Sequence, residues 1–363
     1  MRRFRGISAA LAVAAAALAL SVTASGRTTT STPIQIYGAW HCGNDACTWA
    51  SVRDMANFDF ANHWLIDRGN GSPSVNLVIL SFVQPLKLLN QTNDAGTVNG
   101  VPKGMTADVV DYFKNRGVRV MLSIGGITYT DAWNQALAQN ATQLGLRAAA
   151  LAQSLGVGIE IDYEQSSSPN LTGLQAFIDA YRSVLPYDAS GANPAARLTI
   201  DVAAGDRWLI AIDRKATADW LNPSSSVLDY ANAMVPSRQP NSASTAQSNW
   251  QEHVDGKPQY SPPIPPLAPA RFTGSLFVAE GSKVRPECNN FAASLQSSTG
   301  TYVQTVALKV GITPGMLGYM FWAAERPSTR GVTTPPPNTC EGGVGVGATA
   351  YGVPIPMPPL RQS

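Results

Sequence analysis

The chain has 363 residues, of which 44% are hydrophobic and 14% are charged. Its formal charge is +2, and removal of Arg2, Arg3 and Arg5 leaves 23 basic against 24 acidic residues, a balance of −1. Without a basic excess, the composition argues against a nucleic-acid partner and against an anionic membrane surface.

The first 24 residues have the pattern of a secretory signal. A basic start precedes an apolar run, and residues 22–25, Val-Thr-Ala-Ser, offer a small-residue cleavage site after Ala24. The run is short for a membrane span, and a retained anchor is the alternative. We therefore expect a secreted, extracellular protein that leaves the membrane after cleavage and acts as a monomer.

Short apolar runs rich in β-branched residues recur along the rest of the chain, and most are separated by helix-like segments such as 108–115 and 131–155. This repeat predicts an α/β fold, a closed (β/α)8 TIM barrel over residues 33–326, with an open doubly wound sheet as the alternative. The predicted strands are 34–40, 75–83, 118–124, 157–163, 197–203, 227–235, 275–279 and 316–322.

Two segments depart from the repeat. Residues 236–271 are rich in proline and predict a long ordered loop with room for one short helix. Residues 327–363 are rich in proline and glycine and predict an extended tail rather than a second domain.

Carboxylates alternate with apolar residues in the fourth predicted strand, at Glu160, Asp162 and Glu164. Alternate residues share one face of a strand, about 6–7 Å apart, so the like charges repel and raise at least one carboxyl pKa. In a barrel these carboxylates point inward, with Glu164 at the C-terminal mouth. A protonated carboxyl beside an ionised one is what acid-catalysed cleavage of a glycosidic bond requires. The alternative is a solvated acidic face.

The four cysteines favour disulfide bonds in an oxidising compartment. Three pairings are possible, of which we favour Cys42–Cys47 with Cys288–Cys340. The three histidines show no ligand spacing, so we expect neither a metal site nor a cofactor.

Four stretches resemble glycoside hydrolase family 18, the chitinase-like barrels. Residues 123–126 match the family's Ser-x-Gly-Gly, and residues 158–164 match most of its Asp-Gly-x-Asp-x-Asp-x-Glu. Residues 198–205 are similar to its fifth strand, and residues 318–322 resemble the eighth strand, which ends in tryptophan. The order and spacing of the four make the resemblance specific.

The resemblance implies a substrate-assisted retaining mechanism on β-1,4-linked N-acetylglucosamine, in chitin or a related glycan. Glu164 would protonate the glycosidic oxygen while the substrate's own acetamido carbonyl attacks the anomeric carbon. Asp162 would orient the acetamido group and stabilise the cationic intermediate, and Glu160 would complete the catalytic carboxylates. Trp322 would offer its face to a sugar ring, and Trp40 and Phe82 are weaker candidates for the same contact; each is otherwise a core residue.

The chain departs from the family at three places. Val157 replaces the first aspartate of the fourth-strand motif and Glu160 the second, and Ser237 stands at an acidic position after the sixth strand. Met234 and Arg238, on either side of that change, are then the candidates to contact the substrate. These departures keep two alternatives open: a non-catalytic lectin-like barrel that binds N-acetylglucosamine, and an endo-β-N-acetylglucosaminidase that acts on N-glycans.

Overall fold

Eight parallel strands close into a barrel, as the sequence predicts. The computed structural model describes residues 35–43, 45, 47–67, 71, 73, 75–203, 205, 208–234, 243–277, 302–303, 305–306, 315–322 and 324. The barrel strands are β1 (Ile36–His41), β2 (Leu77–Val83), β5 (Arg119–Gly125), β6 (Gly158–Asp162), β7 (Leu198–Val202), β8 (Ala231–Ala233), β9 (Phe272–Phe277) and β10 (Gly318–Trp322). A separate hairpin pairs β3 (Thr97–Val98) with β4 (Val101–Pro102).

Helices follow most of the strands and cover the outside of the barrel. None of those in the described ranges is long and apolar enough to cross a membrane. The predicted signal segment 1–24 and the tail 327–363 lie outside the described residues. The α-helices are α1 (Met55–Ile66), α2 (Pro85–Asn90), α3 (Ala107–Lys114), α4 (Thr130–Leu155), α5 (Leu171–Val184), α6 (Ile210–Lys215) and α7 (Ala243–Asp255).

Hydrophobic side chains form two clusters, one on each side of the strands. The larger cluster fills the layer between strands and helices and includes Ile159, Ile161 and Tyr163 of the acidic stretch. The smaller lies inside the barrel and includes Trp40, Met121 and Met320. The side-chain alternation of a strand therefore sends the three carboxylates of this stretch toward the barrel axis.

Two local features differ in detail from the predictions. The segment predicted as a loop with room for one short helix contains α7, a helix of 13 residues. Ala246, Trp250 and Val254 recur at helical spacing and are buried there, and Trp250 lies against Gly274 of β9, where a side chain would collide with its ring. In addition, α4 is not continuous, because Asn140 leaves the helical conformation and its side chain accepts a hydrogen bond from the Gln143 backbone N–H.

Candidate active site

The carboxylates of β6 and the residues after it gather inside the barrel toward its C-terminal mouth. Glu160 is fully buried and Asp162 is 4% exposed, whereas Glu164, two residues beyond, is partly exposed. Glu160 is in register with Ser123 of β5 and Thr199 of β7, both of which are buried. The three carboxyl groups thus lie in a row that runs from the barrel interior to its rim.

Glu160 is held on both carboxyl oxygens. The Trp40 indole N–H donates to Oε1 at 2.8 Å, and the Asn232 side-chain amide donates to Oε2 at 2.7 Å. Burial raises the pKa of Glu160, and these hydrogen bonds oppose the rise. Because Glu160 exposes no surface, it is placed to act on its neighbours rather than to touch a sugar.

Asp162 and Glu164 form the pair nearest the mouth, with their carboxyl groups within hydrogen-bonding reach of each other. Burial raises the pKa of Asp162 well above its ordinary value, and the charges of Glu164 and Glu160 raise it further. Burial also raises the pKa of Glu164, to about 7. Two carboxyl groups in such contact need a shared proton, so the pair keeps at least one proton at neutral pH.

The two glycines of the Ser-x-Gly-Gly stretch let the loop after β5 approach this pair. Gly125 has φ +126°, and a Cβ there would lie 1.8 Å from the Asp162 carbonyl oxygen. A Cβ on Gly126, φ +92°, would lie 2.9 Å from the Phe82 ring. The loop then presents the Ile127 backbone N–H to the Glu164 carboxylate, a bond that lowers the pKa of Glu164 against the effect of burial.

The indole N–H of Trp133, on α4, fastens the ends of two strands beneath the pair. It donates to the carbonyl oxygens of Ile124 at 3.2 Å and Asp162 at 3.0 Å. The Tyr163 hydroxyl, on the outer face, donates to the Asn134 side-chain oxygen at 2.5 Å. Both contacts fix the backbone that carries Asp162 and Glu164.

Asp201 of β7 is a fourth carboxyl in this cluster, which sequence reasoning missed as a site residue. It is 2% exposed and lies within hydrogen-bonding reach of Glu160. Burial, followed by the charges of Glu160 and Asp162, raises its pKa well above the ordinary value. The signal was present in the sequence, since Thr199 and Asp201 alternate with apolar residues as the acids of β6 do.

A chain of hydrogen bonds extends from Glu160 across the next strands. The Thr273 hydroxyl donates to the Asn232 side-chain oxygen at 2.5 Å, which orients the Asn232 amide to donate to Glu160. All three side chains are fully buried. This support was also missed from the sequence, because it depends on three strands that are far apart along the chain.

The aromatic candidates meet beside the carboxylates. The Phe82 ring stacks on Trp322, with centroids 5.8 Å apart and planes at 22°, and Trp322 lies 6.3 Å from Trp40. Trp40 is buried in the barrel interior, whereas Phe82 and Trp322 are partly exposed. Phe82 and Trp322 are therefore the members of this group that can offer ring surface at the mouth.

The remaining predicted site residues are only partly described. The Met234 side chain follows β8 and packs against the larger hydrophobic cluster, while Arg238 lies outside the described residues. Cys42 and Cys47 form the expected disulfide bond, and the Cys47 carbonyl accepts from the Phe82 backbone N–H at 3.0 Å. Cys288 and Cys340 lie outside the described residues.

Comparison with solved structures identifies the fold. A family 18 chitinase from Pseudoalteromonas aurantia aligns over 79% of this chain and 93% of its own, with a TM-score of 0.52 and 13% sequence identity. A chitinase from Bacillus thuringiensis aligns over 91% of this chain and 71% of its own, with a TM-score of 0.51 and 10% identity. No protein-family model and no curated protein matches the sequence. The chain thus has the (β/α)8 barrel fold that these chitinases have.

Proposed function

We propose that this protein is a retaining glycoside hydrolase of the family 18 type that cleaves β-1,4-linked N-acetylglucosamine. The observation that carries the proposal is the Asp162–Glu164 pair at the C-terminal mouth of the barrel, with the pKa of Glu164 raised to about 7. A group with that pKa is protonated in part at neutral pH, and it matches the requirement for a general acid.

Glu164 is the group that donates the proton to the glycosidic oxygen. Its partial exposure lets it reach a substrate, and the Ile127 N–H stabilises the carboxylate that remains after the transfer. Asp162 then faces the developing positive charge, and its ionised form stabilises that charge. In a substrate-assisted reaction the acetamido group is the nucleophile, so no further carboxylate is required at the anomeric carbon.

Glu160 sets the ionisation of Asp162 from below, and Asp201 lies within hydrogen-bonding reach of Glu160. The charge of Glu160 disfavours ionisation of Asp162 in the free protein, which keeps its proton available to Glu164. The hydrogen bonds from Trp40 and Asn232 fix Glu160 in place of the family's shorter aspartate. The stacked Phe82 and Trp322 rings supply an apolar surface of the kind that binds the face of a sugar.

The proposed signal segment and extracellular location agree with a polymer substrate that is found outside the cell. The lectin-like alternative is less well supported, because a protein that only binds sugar has no need of a buried acid with a pKa near 7. The endo-acting alternative uses the same carboxylate pair and is decided by substrate rather than by geometry.

The test is release of fluorophore from chitobioside and chitotrioside conjugates by the secreted chain. We expect turnover that falls on the order of 10²–10⁴-fold in Glu164→Gln, with sugar binding retained. Glu252→Gln, the same change at a glutamate that pairs with Lys257, is the control and keeps its activity. Binding without turnover would favour the lectin-like alternative, and release of N-glycans without cleavage of chitin oligomers would favour the endo-acting one.

A further inference from the structure

A cavity of about 240 Å³ lies at the N-terminal mouth of the barrel, opposite the candidate active site. Its walls come from the first residues of the strands and the turns that precede them, including Leu77 of β2, Arg119 of β5 and Gly158 of β6. The carboxylates of the candidate active site lie toward the other mouth of the barrel. The proposed function does not use this cavity.

Glycines create the space. Gly117, Gly156 and Gly191 have positive φ angles of 76°, 63° and 64° in turns that line the cavity. At Gly158, a Cβ would come within 2.9 Å of the Arg197 Cβ and 3.1 Å of the Met121 Cε. A side chain at these positions would strain the backbone or collide with the cavity walls.

The cavity is lined by cations on apolar walls. Lys114, Arg119 and Arg197 contribute to its lining together with Val118, Val120, Met121 and Tyr230, and no aspartate or glutamate lines it. A cavity of this composition attracts an anion that also carries an apolar part.

No carboxylate among the described residues compensates the charge of Arg119. Its Nη2 donates to the Gln35 carbonyl at 3.0 Å and its Nε to the Asn76 carbonyl at 3.5 Å, and within the same residues neither Arg119 nor Lys114 forms an ion pair. Burial lowers the pKa of Arg119 to about 10, and the neighbouring charge of Arg197 contributes to this. Asp229, the residue before the cavity-lining Tyr230, is already shared by Arg182 at 3.2 Å and Arg197 at 3.4 Å.

We propose that this cavity binds a small organic carboxylate with an apolar body. Nε and Nη2 of Arg119 donate to backbone carbonyls, which leaves Nη1 as the charged donor to a carboxylate, and the Lys114 ammonium at the rim adds a second charge. The apolar walls enclose the apolar body of the ligand. Inorganic phosphate has no such body and would leave this part of the cavity unfilled. The inference is independent of the proposed hydrolase activity.

The test is calorimetric titration of the full chain with benzoate and octanoate, and with benzamide and octanamide as uncharged controls. We expect saturable binding of at least one carboxylate with a Kd at or below about 1 mM, and no binding of its amide. Inorganic phosphate is titrated in parallel. Phosphate binding that excludes the carboxylates would overturn the assignment of the ligand.

Variants at the rim locate the binding without disturbing the barrel. Lys114→Gln should weaken carboxylate binding by about two- to fivefold, whereas Arg116→Gln, an exposed neighbour that does not line the cavity, should not. Ala192 is exposed and lines the cavity, so Ala192→Asp should weaken binding by about tenfold or more and Ala192→Asn much less. The proposal would be contradicted if no saturable binding occurred up to about 10 mM carboxylate. It would also be contradicted if neither Lys114→Gln nor Ala192→Asp weakened carboxylate binding.

Discussion

Glu164 differs from an ordinary surface glutamate in its surroundings rather than in its chemistry. It is largely enclosed by the barrel mouth, it contacts a second carboxyl, and it accepts a backbone N–H from Ile127. Burial outweighs the two hydrogen bonds, so the pKa rises to about 7.

This pKa fixes the direction of the pH dependence. Glu164 must hold its proton to act as an acid, so kcat/KM on a chitobioside should fall as the pH rises through about 7. The measurement is kcat/KM from about pH 5 to pH 9. A rate that stays constant through pH 7, or one that already falls near the ordinary glutamate pKa, would show that Glu164 is not the titrating acid.

We expect the stability of the protein to depend more on the side-chain length of Glu160 than on that of the other carboxyl residues in the cluster. Glu160→Asp shortens the side chain, so the Trp40 indole N–H and the Asn232 amide lose their acceptor in a fully buried place. We expect a loss of about 2–3 kcal/mol in the free energy of unfolding, measured by urea denaturation. Glu252→Asp, the same change in a partly exposed pair, should cost less than about 1 kcal/mol. Equal losses would mean that the Glu160 contacts add little.

At the scale of the element, the loop from β5 to α4 contacts both a neighbouring barrel strand and the carboxyl pair of the candidate active site. Gly125 sits against the backbone of β6, Gly126 against Phe82, and the next N–H reaches Glu164. The loop can take this path only while both positions lack a side chain. The Ser-x-Gly-Gly motif is short, but sterics require glycine at both of these positions.

Gly125→Ala tests that reason. A Cβ 1.8 Å from the Asp162 carbonyl forces one of the two strand ends to move, so we expect a loss of more than about 3 kcal/mol in stability and a marked loss of turnover. Gly71→Ala is the matched control, since Gly71 also has positive φ, +77°, but nothing within 4 Å of its Cβ position. It should cost about 1–2 kcal/mol and leave turnover unchanged. Similar results for the two variants would contradict the steric argument.

The elements that could be predicted are those with a strong local signal. The strands carry long β-branched runs, and six of them were placed within about two residues at each end. The strand predicted at 275–279 begins earlier, at Phe272. Its start was predicted too late because Phe272 and Thr273 follow a proline-rich stretch whose composition suggested a loop. The length of helix α7 was not predicted for the same reason: few apolar residues mark it, and the packing of Trp250 depends on Gly274 of β9, which leaves space for its ring.

For the molecule as a whole, the carboxyl cluster has a cost in stability that depends on pH. Burial raises the pKa of Glu160, Asp162, Glu164 and Asp201. Each group is therefore most favourable to folding while it is protonated in both states, and stability is lost as the pH rises and the unfolded chain ionises. Such a cost at a functional site is expected if the cluster is retained for catalysis rather than for folding.

Asp201→Asn measures this cost. The variant cannot ionise, so its free energy of unfolding should rise relative to the wild type by about 1 kcal/mol per pH unit between about pH 4 and pH 7. Asp188→Asn is the control, because hydrogen bonds from Ser190 and Asn193 lower the pKa of Asp188, and its difference should stay flat above about pH 4. A flat difference for Asp201→Asn would mean that Asp201 is ionised in the folded protein.

The site could be predicted only in part, and for a physical reason. Asp162 and Glu164 were predictable because alternation along one strand brings them together. The contacts of Asp201, Asn232 and Thr273 depend on which strands become neighbours in the closed barrel, and no local pattern states that register. The roles of Met234 and Arg238 remain predictions from the sequence.

Titration of the Glu164 carboxyl group bears most directly on the whole account. In protein labelled with ¹³C at glutamate, the resonance that is absent from Glu164→Gln belongs to this group, and its chemical shift can be followed against pH. The account predicts a midpoint of about 7. A midpoint between about 4 and 5, as in an exposed glutamate, would contradict it.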